Sequence, residues 1–313
     1  MARKLALIAV LVLTALAVAA QAVPMGLEDA LAIFQGDRVV VEYSDQGCMQ
    51  LEAAIEALKS ALGAPANLDE ESEREVDAFF VAPEERDLAI KLSQGYFTMG
   101  VIFADGRNEE EAAYRKGKHW GLKSLRMDPD FAAVEKREGF LAVVSREANA
   151  PALYWAGLNW LSLGNFDRLA AVSSGVVKKT IAMLERVVEL DEAYDCYGAY
   201  RVLGSIWGAL PWLPLGTYRR DLERARTYLC HVVDDPQVCG DLPPRAVDPI
   251  CAEYLGNRRV FAEFYLMEKG LWGDAAAVLQ SIVDAPIGDT YALYNANAQD
   301  DARRLLAEVN RHL

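Results

Sequence analysis

Histidine is scarce: His119, His231 and His312 are the three in a chain of 313 residues. Imidazole is the side chain most used as a general base and metal ligand near neutral pH, so the chain has few ways to build either site. No G-x-S-x-G, H-E-x-x-H, phosphate-loop or G-x-G-x-x-G spacing occurs. The usual signals of acyl transfer, zinc peptidase chemistry and nucleotide binding are therefore missing. The adjacent Cys230 and His231 are too few for a metal site. No catalytic residue, metal ion or cofactor is expected, and the chain does not read as an enzyme. Positive charge is also short, with 32 Lys and Arg against 46 Asp and Glu and a net charge of −14. That balance excludes a nucleic-acid partner, which needs a basic face, and opposes docking on anionic lipid. Strand patterning is confined to "DRVVVEYS", from Asp37 to Ser44.

The N-terminus reads as a targeting signal. Arg3 and Lys4 precede an apolar run from Leu5 to Ala20, and Ala20 to Ala22 spell "AQA". A basic start, a short apolar stretch and an A-x-A end describe a Sec signal peptide. The run is shorter than the roughly 20 residues that span a bilayer. Residues 1–22 are thus expected to be removed and 23–313 to form one domain. Losing Arg3 and Lys4 leaves 30 basic residues against 46 acidic ones, a net charge of −16. No cysteine follows the apolar run to accept a lipid, since the first is Cys48. Export permits disulfides. Cys230, Cys239 and Cys251 lie close enough in sequence for one bridge among them, and an odd total of five leaves at least one thiol free or pairing between chains. The spacing does not fix the pairing.

The body of the chain repeats itself. "SLRMDP", "RVVELD", "HVVDDP" and "SIVDAP" each close an amphipathic stretch on an acidic residue: Asp128, Asp191, Asp235 and Asp284. Proline just past such an end stops a helix. The preceding stretches have helical periodicity, with small residues such as Gly117, Gly121, Gly198 and Gly204 where a neighbouring helix can come close. The short "KGLWGD" linker joins the last pair as an antiparallel hairpin. The closing aspartates are 63, 44 and 49 residues apart, longer than the roughly 34 of a tetratricopeptide unit. The expected fold is all-α: tetratricopeptide-like helical hairpins, an α-solenoid with insertions.

"LSQGYFTMGVIFADG", "YRKGKHWGLKSLRMDP", "ALYWAGLNW" and "YDCYGAYRVLGSIWGALP", in that order, resemble the TRAP transporter T-component family. The resemblance runs from about Leu88 to the C-terminus. It implies a periplasmic, helical-repeat accessory protein of a tripartite ATP-independent periplasmic uptake system. Such proteins associate with the solute-binding P component, assemble as homo-oligomers, trimers among them, and offer an apolar cavity or pore. Many carry a lipid, and this chain departs from that pattern. The alternative is a periplasmic protein–protein scaffold with no transport role.

Aromatics concentrate in two segments, and they supply the candidate partner- or ligand-binding residues. Tyr154, Trp155 and Trp160 lie in the first, Tyr200, Trp207 and Trp212 in the second. They can fill the seams between hairpins or line a concave groove, along which solenoids bind. Tyr200 and Trp207 are seven apart and share a helical face. Asn159 and Arg201 interrupt apolar patterns and need partners if buried; Asp191, Glu192 and Asp195 are the nearest for Arg201. Pro211 ends a helix, Pro214 and Gly216 shape the connection, and Thr217 can cap the next helix. Trp212 is expected to project from that loop toward a partner.

Overall fold

Polar side chains set where the helices begin. Ser44, Asn149, Asp167 and Asp221 each accept a hydrogen bond from a backbone N–H in the first turn that follows. Ser72 and Glu75 close a reciprocal capping box. A computed structural model describes residues 25–65, 68, 71–212, 218–242 and 248–313. The expected signal peptide, Pro214, Gly216 and Thr217 lie outside the described residues.

The described chain is all-α. Its N-terminal part comprises α1 (Leu27–Ile33), a two-stranded hairpin of β1 (Phe34–Gln35) and β2 (Arg38–Val39), α2 (Asp45–Ala61) and α3 (Glu73–Ala78). The middle comprises α4 (Arg86–Thr98), α5 (Arg107–Arg126), α6 (Pro129–Glu138), α7 (Phe140–Val144), α8 (Ala150–Gly164), α9 (Arg168–Ser173) and α10 (Val176–Leu190). The last part comprises α11 (Tyr194–Ala209), α12 (Leu222–Leu229), α13 (Pro236–Cys239), α14 (Pro249–Ala252), α15 (Leu255–Phe261), α16 (Trp272–Val283) and α17 (Ala292–Val309). The hairpin falls within "DRVVVEYS" and the residues just before it.

The long helices pack in sequence: α4 on α5, α5 on α8, α8 on α10, α10 on α11, α11 on α12, and α16 on α17. The repeated sequence ends do mark helix ends. Asp191 and Asp284 sit at the C-caps of α10 and α16. Asp128 and Asp235 have a second role, because each caps the short helix that Pro129 or Pro236 opens. Proline at the first helical position loses no intrahelical bond, so the Asp-Pro pair starts a helix as well as following one.

Close approach explains the small residues. A Cβ added at Gly117 would lie 2.1 Å from Asn159 Oδ1, at Gly121 2.6 Å from Ala156 Cα, at Gly198 2.2 Å from Tyr154 Oη, and at Gly204 2.5 Å from Leu229 Cγ. Three apolar clusters follow one another along the array. One centres on α2 and α4, one on α8, α10 and α11, and one on α12, α15, α16 and α17. The two ends of the array also meet. Arg38 Nη1 donates to the Thr290 carbonyl at 3.0 Å, the Val39 N–H to Tyr294 Oη at 2.9 Å, and Tyr43 Oη to Asp300 at 2.9 Å. Leu293 of α17 is buried in the N-terminal cluster. An open solenoid leaves its ends apart; here they close on each other.

Candidate functional site: a central cavity and its braced wall

Residues of α4, α8, α11, α15 and α17, with the segments that adjoin them, line a cavity of about 260 Å³. Two of these helices widen as they reach it. Residues Met99–Phe103 continue α4 as a π-helical turn and place Val101 and Ile102 on the wall. Residues Ala262–Met267 continue α15 in the same way and place Phe264 there. A π turn inserts one extra residue, and such turns are frequent at functional sites. Leu161, Asn165, Ser205 and Phe264 also line an adjoining, mainly apolar pocket of about 220 Å³ between α8, α9, α10 and α11. The two spaces are therefore neighbours across shared side chains.

The α11 wall is strained. Asp195, Cys196 and Tyr197 have φ of 50°, 49° and 60°, a full left-handed turn without a glycine. Each such residue costs roughly 1–2 kcal/mol, so the turn costs about 3–6 kcal/mol. Several braces oppose that cost. The Cys196–Cys251 disulfide ties the turn to α14. Arg201 Nη1 donates to the carbonyls of Asp195 at 3.2 Å and Cys196 at 3.4 Å. Asn257 Nδ2 donates to the Cys196 carbonyl at 3.3 Å, and its Oδ1 accepts from Arg201 at 2.8 Å. Arg201 Nη2 donates to Tyr154 Oη at 3.2 Å and pairs with the Asp195 carboxylate, to which Tyr154 Oη also donates. The guanidinium lies 4.7 Å from the Tyr254 ring centre. Gly198 lets the right-handed helix resume directly against Tyr154.

Burial sets the electrostatics of this knot. It pushes Asp195 up to about 6, against the pull of Arg201 and Tyr154. Burial works against the Arg201 charge, but the fields of Tyr254 and Asp195 outweigh it and hold the group protonated. Tyr154 is raised well above its usual range, first by burial and then by Asp195. The network holds one ion pair, and the other Arg201 donors turn to backbone carbonyls, the Asn257 amide and the Tyr154 hydroxyl. It contains no nucleophile with an adjacent base.

The structure separates the eight candidate residues. Tyr154, Trp155 and Arg201 line the cavity. Asn159 is buried in the seam of α4, α5 and α8, where its Nδ2 donates to the Ser93 carbonyl at 2.9 Å and the Trp155 carbonyl at 3.0 Å. Trp160 is half-buried, edge-on to Phe140 with Lys179 Nζ 4.9 Å from its ring centre. Tyr200 and Trp207 do share a face, but it is the outer face of α11. The Tyr200 ring packs at a tilt against His231, 4.2 Å between ring centres, and Trp207 lies under the Arg224 guanidinium at 4.0 Å. Trp212 is 79 % exposed. Its loop is pinned at the base, where the Arg220 N–H donates to the Pro211 carbonyl and the Asp221 N–H to that of Trp207.

Sequence patterns left out several wall residues, Tyr254, Arg259, Phe264 and Tyr294, and offered Asp195 only as one of three partners for Arg201. "AYDCYGAY" was one available pointer, with an acid and a cysteine in an otherwise apolar aromatic run. Cys230 pairs with Cys239, one of the bridges that the local spacing allowed, and Cys48 is the free thiol.

An array of helices closed around an internal cavity, with an exposed tryptophan just past the end of one of its wall helices, defines an all-α protein rather than an α/β or β-sandwich one. The model of the TRAP transporter T-component family matches residues 76–231, from within α3 to just past α12. The chain belongs to that family, and it is thereby an accessory component of a TRAP-type transporter. No curated protein matches the chain. No helix among the described residues is long and apolar enough to cross a membrane.

Proposed function

We propose that this protein is an exported, periplasmic TRAP accessory protein that docks on the solute-binding P component and holds a small ligand in its central cavity. The observation that carries this reading is the braced wall. A left-handed turn costing several kcal/mol, and two π turns facing the same space, are features a helical array does not need for packing alone. The left-handed turn and the π turn at Met99–Phe103 lie within the family-matched span, and all three features line the cavity that Tyr154, Trp155 and Arg201 share.

The wall chemistry favours a small, largely apolar molecule with one polar or carboxylate end. Phe97, Trp155, Phe264 and Tyr294 supply apolar surface, while Ser162, Ser205 and Asn297 supply hydrogen-bonding groups. Arg201 already spends its donors on protein groups, so its role is to position the wall. Arg259 is the other cation on the wall. It pairs with Glu263 and lies 3.7 Å from Asp301, while its Nε has no hydrogen-bond partner among the described residues.

In this reading residues 1–22 are removed on export, 23–313 act as one domain, and copies of the chain form a homo-oligomer, a trimer being the family's precedent. Trp212 belongs to the docking face. Asn159, Trp160, Tyr200 and Trp207 support it by holding the helices that carry the site. Purification of the tagged protein from native periplasm, followed by mass spectrometry, tests the reading. It should recover the P component together with a protein beginning at Val23. Recovery of unrelated periplasmic proteins without any TRAP component would favour the scaffold alternative.

A further inference from the structure

A second and larger space lies outside the central cavity. A groove of about 1020 Å³ runs between α12, the segment from Val232 to Asp241, α15 and α16. Val232, Val233, Phe261 and Tyr265 line it and are buried. Tyr254 contributes to both spaces, and α15 stands between them.

Arg258 of α15 lies among these apolar residues. Its Nη1 donates to Ser281 Oγ at 3.3 Å, and its buried Nε has no hydrogen-bond partner among the described residues. No carboxylate among the described residues pairs with it. Arg226, in the same groove, is held by Glu223 at 3.3 Å and Asp241 at 2.6 Å. Their electrostatics differ accordingly. Burial alone draws Arg258 below the usual arginine range, whereas Asp241 is the first cause that raises Arg226. A half-buried guanidinium without a counter-ion is costly to keep unless an anion completes it.

The exposed edge has the opposite sign. Asp234 and Asp274 line it and have no ion-pair partner among the described residues. Free phosphate, sulfate and polyanions would meet that acidic edge unfavourably. A ligand that suits both sets of charges is elongated, with an anionic end for Arg258, an apolar part beside it and a cationic part for Asp234 and Asp274.

We propose that this groove is a binding site, additional to the cavity and independent of its function, for the free carboxylate end of a short basic peptide. The terminal carboxylate meets Arg258, the last side chain packs among Val232, Val278 and Phe261, and upstream lysines or arginines meet Asp234 and Asp274. The carboxylate–guanidinium contact can be bidentate.

The test uses calorimetric titration of the whole exported protein with three tetrapeptides. These are lysyl-lysyl-valyl-leucine as the free acid, the same peptide as its terminal amide, and glutamyl-glutamyl-valyl-leucine as the free acid. The lysyl acid should bind, and the amide and the glutamyl acid should each bind at least tenfold more weakly. R258M should weaken the lysyl acid at least tenfold and remove the acid-over-amide preference, with its melting temperature unchanged. The double variant D234N/D274N should remove the preference for lysyl over glutamyl peptide. Absence of lysyl-acid binding, equal binding of acid and amide by the wild-type protein, or a preference for the glutamyl peptide would each overturn the proposal. The acid–amide comparison needs no variant, so it stands even if R258M is poorly folded.

Discussion

The two ends of α11 have similar compositions and opposite fates. The N-terminal end, around Tyr194 to Arg201, is buried, bent left-handed and tied by a disulfide and an ion pair. The C-terminal end leads through Pro211 to Trp212, which stands 79 % exposed. Aromatic content alone therefore does not mark a binding surface. A buried polar partner draws an aromatic into a wall, as Asp195 does for Tyr154, and a proline turn releases another from the core.

Removing Arg201 strikes the braced end hardest. Arg201→Met leaves the buried Asp195 carboxylate unpaired and frees the carbonyls of the left-handed turn. Chemical denaturation should show a loss of about 3–5 kcal/mol. A loss below about 1 kcal/mol would mean that the disulfide holds the turn without the ion pair.

The same knot should show in the pH dependence of stability. Asp195 titrates near 6 in the folded protein and near 3.8 when unfolded, so between those values the folded state binds more protons. Its contribution is then most favourable near pH 4 and falls as the pH rises through about 6, by up to about 3 kcal/mol. The stability difference between the wild type and Asp195→Asn, followed from pH 4 to 7, should shrink or reverse in that direction. A difference that stays flat across the window would place the Asp195 titration elsewhere.

Gly198 sharpens the comparison at a smaller scale. Gly198→Ala places a methyl group against Tyr154 Oη and should cost roughly 1–3 kcal/mol through overpacking, read as a lower melting temperature. Trp212→Ala, at the other end of the same helix, should change stability by no more than about 0.5 kcal/mol.

Much of the helical framework was legible in the chain because its signals are local. Asp128, Asp191, Asp235 and Asp284 do sit at helix ends, and Gly117, Gly121, Gly198 and Gly204 do lie where another residue would clash. The shape of the cavity depends on distant partners. Asp195 alone tolerates the left-handed region; nothing in Cys196-Tyr197 favours it, and part of what stabilises the turn, Cys251 and Asn257, lies more than 50 residues away. The π turns add one residue to a helix whose apolar period looks unbroken. Closure of the array rests on Arg38, Val39 and Tyr43 meeting residues more than 250 positions along. Tyr200 and Trp207 show the same limit: their shared face was readable from their spacing, but not whether it points toward the cavity or away from it.

The most direct test compares Trp212→Ala with Trp207→Ala in titrations against the solute-binding P component proposed above as the partner. Trp207 is a core residue, and its truncation should lower stability by roughly 3–5 kcal/mol, while any folded fraction keeps its affinity. Trp212→Ala should melt like the wild type and bind its partner at least about 1 kcal/mol more weakly. Unchanged partner affinity for a normally folded Trp212→Ala protein would contradict the account and move the docking face away from this end of α11.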